Sequence, residues 1–455
     1  MLTFPFQIGR AKLNKRRSLL IVAVLIVVVV VALLAVLYEN GFLSPQGSCI
    51  LWQRDITNFA TGLAAADGKV FTIDIWGGIS CYDAQSGESV WNGSIGAYWG
   101  AGLVVSGGRV YGGKSGAEVG ALDEATGEFQ WIFSAQINSD LWDKSAPDSI
   151  TVVDGRVFAT ADGVSAHNAT TGQLLWEAAY GNITDQRVWW VSGYPLRGYP
   201  FEGNSVYALG GDPSGWCIYR LDTDDGTILW RTNVTLFSSL PTALAAYQGQ
   251  VVIQNGELVF SLNETSGSSL WSYDVGASIY QPTANYNGLL LFGASDGNFY
   301  ALHLANGTLA WKTRVDRQNL LALVNSDNVL RVFPIQVDPQ NQRLFWSFGV
   351  TEQLGTTSEN KHDRYTGTIC SLNLATGDSI WTKQIEDSDV FYDTPIGLVV
   401  SKDTIFLTAN YGLWIFSGLT GNVVSTQHFD HYILPPVASD NMVLVAADLY
   451  LRAYG

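Results

Sequence analysis

The residues whose types suit recognition chemistry are Trp99, Trp142, Arg187, Trp189, Trp190, Arg197 and Trp216. They sit in the polar segments GAYWGAG, SDLWDKSAP, DQRVWWVSGYPLRGYP and DPSGWC, where indole rings stand beside guanidinium, carboxylate and amide groups. Rings flanked in this way around a depression suit a mouth that binds sugars or peptides. Tyr98, Asp140, Asp143, Lys144, Tyr194, Tyr199, Arg314, Arg317, Asp393 and His431 come from the same class of segment.

Covalent and metal chemistry have no comparable set. No Gly-x-Ser-x-Gly, phosphate loop or His-Glu-x-x-His pattern occurs. Cys49, Cys81, Cys217 and Cys370 are irregularly spaced without a Cys-x-x-Cys, which argues against zinc and makes buried thiols the expectation. His428 and His431 flank Asp430, but two histidines three apart on a loop are more often surface groups than ligands. No catalytic residue, metal ligand or cofactor is therefore assigned.

What must position the rings is a repeat. After residue 50 a pattern of short apolar strand, Asp or Asn, three residues, Gly, three residues, Trp returns eight times: YDAQSGESVW, LDEATGEFQW, HNATTGQLLW, LDTDDGTILW, LNETSGSSLW, LHLANGTLAW with His303 at the Asp position, LNLATGDSIW and a degenerate FSGLTGNVVS ending at Ser425. The turn glycines run from Gly87 to Gly421, about 40 to 54 residues apart with one gap of 70. That period, with only short alternating strands between turns, predicts an all-β chain of four-stranded antiparallel propeller blades. In each turn Asp or Asn bonds back to the local backbone, and Gly takes the positive-φ position. Trp91, Trp131, Trp176, Trp230, Trp271, Trp311 and Trp381 hold the repeat position, and Trp52 matches its strand alone. Trp76, Trp346 and Trp414 fall in or next to predicted strands and are assigned to packing.

This pattern resembles the pyrroloquinoline-quinone-type repeat propellers, whose consensus is essentially Ala-Leu-Asp-x-x-Thr-Gly-x-x-x-Trp. That family includes quinoprotein alcohol dehydrogenases and the propeller lipoprotein of the outer-membrane barrel-assembly machine. The resemblance covers residues 51–455 and implies the fold, because the motif is the glue of the blade rather than a site. A quinoprotein would imply calcium ligands and often an adjacent cysteine pair, and no Cys-Cys occurs here. The family precedent is eight blades, whereas a count of inner-strand triplets is nine, ending with PPVASDNMVLVAADLYLRAYG. In either case the Trp52 strand becomes the outer strand of the last blade and closes the ring.

A blade that runs from the axis outward puts its Asp-to-Gly turns on one face, the bottom, and puts its middle turn and the blade-to-blade connections on the top. The off-register rings named first map to the top. Glycosylation sequons occur at Asn92, Asn168, Asn182, Asn233, Asn263 and Asn306. All but Asn182 map to bottom turns or outer strands.

The chain of 455 residues carries 25 Lys plus Arg against 41 Asp plus Glu, and this acidic balance argues against nucleic acid as a partner. Residues 1–17 are basic and hold no acid, and residues 18–38 form an apolar run long enough to cross a bilayer of about 30 Å. The reading is a cytoplasmic tail (1–17), a transmembrane helix (18–38), a linker (39–50) and an extracytoplasmic propeller (51–455) of a single-pass cell-membrane protein. A cleaved signal peptide competes, but its apolar core is normally about 7 to 15 residues. The expected function is a non-catalytic binding or scaffold module for a protein or glycan ligand at the cell surface. The alternatives are an envelope-assembly factor and a quinoprotein-like oxidoreductase.

Overall fold

The computed structural model describes residues 50–96, 101–114, 118–134, 150–160, 163–179, 205–212, 215–234, 243–280, 283–316, 328–354, 362–388, 397–409, 411–430, 433–439 and 441–455. The basic tail, the apolar run and the linker lie outside these residues. Among the described residues no helix is long and apolar enough to cross a membrane.

The strands are antiparallel and fall, among the described residues, into nine sheets. Sheets 1 to 8 follow chain order. Sheet 1 comprises Ala60–Ala66, Lys69–Asp74, Gly78–Asp83 and Ser89–Ser94. Sheets 2, 3, 5, 6 and 8 repeat this four-strand plan within residues 101–134, 150–179, 243–274, 284–314 and 397–428. Sheet 4 (205–234) shows three strands, and sheet 7 (328–388) has five because Gln336–Asp338 adds to its second strand. Sheet 9 takes Val437–Ser439, Met442–Ala447 and Tyr450–Tyr454 from the C-terminus, and Ile50–Asp55 pairs antiparallel with Tyr450–Tyr454 as its outer strand. The Trp52 strand thus stands where the repeat predicted.

The turns share one backbone plan, with His303 and Ser417 standing in place of Asp or Asn in sheets 6 and 8. In sheet 1 the Asp83 carboxylate accepts the N–H groups of Gln85 and Ser86, and Gly87 adopts a φ of 69°. The next residue, Ala84, donates its N–H to Gly68 O in the turn between the first two strands, so the two bottom turns are stitched together. The same stitch recurs from Glu124 to Gly108, Ala169 to Gly155 and Glu264 to Gly249.

The tryptophan then links one sheet to the next. Trp91 in sheet 1 is buried, donates its indole N–H to Glu124 O in sheet 2 at 2.9 Å, and packs against the turn residue Gly127. Trp52, Trp131, Trp176, Trp230, Trp311 and Trp381 each donate to a backbone carbonyl in the turn of the following sheet. Trp271 differs: it donates to Gln250 Oε1, and the Gln250 amide nitrogen carries the link on to Ala305 O in sheet 6. Apolar clusters fill the same seams. Phe71, Ile79, Val110 and Leu122 join sheets 1 and 2; Phe345, Ile369, Leu407 and Phe416 join sheets 7 and 8; Val70, Tyr82, Leu444 and Leu451 join sheets 9 and 1.

One seam lacks a tryptophan, and the topology explains why. The outer strand of sheet 9 arrives from the N-terminal side, so no covalent turn, and hence no turn glycine, joins its third strand to its fourth. Sheet 9 therefore offers no turn glycine to an indole from sheet 8, and Ser425 stands at the repeat position. Phe406, Phe429 and Tyr454 fill that seam instead, with the Tyr454 hydroxyl donating to Gln427 Oε1 at 2.8 Å.

Candidate binding face

The top face is described best over sheets 1, 6 and 7. In sheet 1 the middle turn is held by Asp74, whose Oδ1 accepts the N–H groups of Trp76 and Gly78 at 2.8 Å, while Oδ2 accepts from the Asn58 amide at 2.7 Å. Trp76 is 49% exposed, which corrects its assignment to packing. A residue in a middle turn meets no turn glycine of a neighbouring sheet, so its ring is left at the surface. The packing roles of Trp346 and Trp414 hold, since both are buried.

Sheet 6 gathers more charge in the equivalent place. Asp296 accepts hydrogen bonds from the Tyr300 hydroxyl at 2.6 Å, the Asn298 amide at 2.6 Å and Lys312 at 3.2 Å. Burial pushes the Asp296 carboxyl up, but these donors outweigh it and hold the group below the usual carboxylate range. Lys312 lies 4.8 Å from the centroid of the Tyr300 ring and is raised by its contacts with Tyr300 and Asp296. Arg314 donates to the backbone carbonyls of Asp296 and Asp316, at 2.6 and 3.0 Å. Asp316 is buried, and burial together with Asp316 and Asp296 pushes the Tyr280 phenol up to about 12. Arg314, expected in a binding mouth, is here engaged in holding its own turn, and the cluster acts as a lock on the top of the sheet.

Sheet 7 departs from the plan. Its second and third strands, Arg343–Leu354 and His362–Asn373, have 12 residues each, where those of sheet 1 have 6. Register shows where the surplus lies. Arg343 pairs with Asn373 at the bottom turn, as Lys69 pairs with Asp83 in sheet 1, so the pairs from Gly349–Gly367 to Leu354–His362 extend past the level of the middle turn of sheet 1. Six extra residues at about 3.3 Å each carry the ribbon roughly 20 Å beyond that level. Ser379–Ser388 follows it on the outer side as far as the pair Arg364–Ser388, and Asn328–Val332 pairs with its inner side. Residues 349–354 and 362–367, in the long gap between turn motifs, are therefore strand. Their polar alternation, VTEQL against HDRYT, was the available signal.

Trp99, Trp142, Arg187, Trp189, Trp190 and Arg197 lie outside the described residues, as does Asn182. Trp216 is expected in a connection but is the second residue of the strand Gly215–Asp222, paired with Gly211 and Val234 at the top end of sheet 4. Cys81, Cys217 and Cys370 are buried thiols, and burial pushes Cys81 up to about 12. On the bottom face Asn168, Asn263 and Asn306 stand in turns, while Asn92 and Asn233 lie exposed on outer strands.

Comparison with known proteins assigns the family. The PQQ_2 family, described as "Outer membrane protein assembly factor BamB", matches residues 43–214 and 214–453. The chain belongs to that family. Among curated proteins it is similar to a tetrathionate hydrolase of Acidithiobacillus ferrooxidans, 24% identical over 52% of this chain and 48% of that one. It is also similar to BamB of Shewanella oneidensis, 23% identical over 58% of this chain and 65% of the relative, and to BamB of Escherichia coli, 27% identical over 43% and 47%. The matches thus span less than two thirds of these relatives. Two solved structures share the fold. One is the computationally designed protein Ika8, with a TM-score of 0.50 and 15% identity, covering 89% of this chain and 99% of the other. The second is a quinohemoprotein alcohol dehydrogenase of Pseudomonas putida, with a TM-score of 0.51 and 13% identity, covering 90% and 76%.

Proposed function

We propose that this chain is a membrane-anchored, extracytoplasmic protein-binding propeller of nine blades that serves envelope protein assembly. The observation that carries the reading is the sheet 7 ribbon: Val350 is still buried in the core, but four further residue pairs, Thr351–Tyr365 to Leu354–His362, run on beyond it, and an extended ribbon of polar sequence suits a protein partner. Membership in a family described as an assembly factor supports a protein partner over a glycan. The basic tail and the apolar run at 18–38 support an anchor that leaves the propeller outside the cytoplasm, and Trp142 and Trp189, which the repeat assigns to top-face connections by sequence, are proposed for the same surface. The nine sheets with eight turn motifs support a ring closed by Ile50–Asp55.

The test is to replace residues 352–364, beyond the buried Val350, by a two-residue turn in the full chain and to purify both forms from membranes in mild detergent. The reading expects one or more envelope proteins to co-purify with the parent and to be lost with the shortened ribbon while the melting temperature is kept. A quinoprotein-like enzyme expects a bound chromophore or calcium in the purified protein instead, and that result would replace the binding reading.

A further inference from the structure

Three glycosylation sequons coincide with the bottom turns. In Asn168-Ala169-Thr170 and Asn263-Glu264-Thr265 the asparagine holds the repeat's Asp position, and its Oδ1 accepts the N–H of its own sequon threonine at 2.9 Å. In Asn306-Gly307-Thr308 both the N–H and the hydroxyl of Thr308 donate to Asn306 Oδ1, at 3.1 and 2.7 Å. The turn thus folds each sequon threonine onto its asparagine and uses only the amide oxygen. The bonds that hold the turn do not use Nδ2 of these residues, and a substituent there would leave every turn bond in place. The threonines at 170 and 265 are not what the turn requires, because Gln85 and Ala125 fill the same position beside Asp83 and Asp123. Nor is asparagine required, since Asp83 and Asp123 make the same bonds. What the turn leaves unexplained is the pairing of Asn with Thr two residues on, and that pairing is the acceptor signal for an asparagine-linked glycan.

We propose that Asn168, Asn263 and Asn306 are modified with asparagine-linked glycans, which stand on the bottom face and leave the top face to the partner. The co-reactant is an oligosaccharide linked through phosphate to a polyisoprenoid lipid. Nδ2 bonds to the anomeric carbon as the bond from that carbon to the phosphate oxygen breaks; the lipid phosphate leaves with the electron pair, and Nδ2 gives up one proton. The inference rests on the outward placement of the propeller.

The test is mass spectrometry of peptides from the full chain isolated from membranes of its own host, beside digestion of intact cells with added protease. Glycan on at least two of the three asparagines is expected, and Asn168→Asp and Asn263→Asp are each expected to remove one glycan without a change in melting temperature, because aspartate makes the turn bond elsewhere in the chain. Bare asparagine at two or more sites in a propeller that external protease reaches overturns the inference alone. Bare asparagine in a propeller that is protected from protease overturns the outward placement with it.

Discussion

The indole of Trp52 packs against Gly87: a β-carbon on Gly87 would stand 2.5 Å from the ring carbon Cε3. Trp52 lies on the outer strand of sheet 9 and Gly87 in the turn of sheet 1, so this contact joins the end of the chain's sheet order to its beginning. The Trp52 N–H to Ala84 O at 2.9 Å and Arg54 Nε to Gly87 O at 2.8 Å fix the same seam. A strand from the N-terminal side thus holds the C-terminal sheet against the first.

Gly87→Ala should destabilise the propeller by more than about 2 kcal/mol, because a positive φ and a ring within contact distance both oppose the added methyl. Gly68→Ala is the matched comparison: its φ is 71°, but a β-carbon there meets nothing within 4 Å. It should cost about 1 kcal/mol. Denaturant unfolding of the two variants decides, and equal losses would contradict the packing role of the ring.

Trp52→Ala should cost about 3–5 kcal/mol, in the range for a large buried ring. Ser425→Ala should be close to neutral, and Ser425→Trp should bring no gain, because sheet 9 has no turn glycine to receive the indole. A stabilised Ser425→Trp variant in thermal unfolding would mean that such a receiving site exists.

Acid should weaken the bottom face. The N–H and hydroxyl of Ser86 hold the Asp83 carboxyl below its ordinary value, and those of Thr126 do the same for Asp123. A carboxyl lowered by folding contributes stability above its unfolded value, near 3.9, and loses it as pH falls through the folded one. The denaturation midpoint should therefore hold from about pH 5 to 7 and drop below about 4. Asp83→Asn with Asp123→Asn should flatten that drop, since asparagine makes the same bonds at Asn263 and Asn373 without titrating.

Cys81 should resist thiol reagents in the native protein. Burial pushes it to about 12, so the reactive thiolate is scarce and enclosed. Peptide mapping after labelling at pH 8 should find Cys81, Cys217 and Cys370 unmodified when folded and modified in denaturant.

The blades were legible because most turns carry a local signature: a side-chain acceptor, a positive-φ glycine and a tryptophan at a fixed distance. The blade number was left open for a topological reason. Sheet 9 is assembled from both ends of the described chain, so it has no turn motif of its own, and Ser425 reads as degeneracy when it is a consequence of closure. Trp76 was misplaced because a middle turn flanked by strands looks like strand in a short window. The ribbon was not legible in the long gap between turn motifs, because polar alternation along its two strands hides a pairing that only register reveals. The rings at Trp142, Trp189 and Trp190 remain a proposal about the face on which the ribbon stands.

The central claim, that partners engage the ribbon side of the propeller, is tested most directly by site-specific photo-crosslinking in the full chain in its own host. A crosslinking residue is placed at Gln353 on the ribbon or at Gln85 in a bottom turn. The account expects covalent adducts with envelope proteins from position 353 and none from position 85. Adducts from position 85 with none from 353 would contradict it.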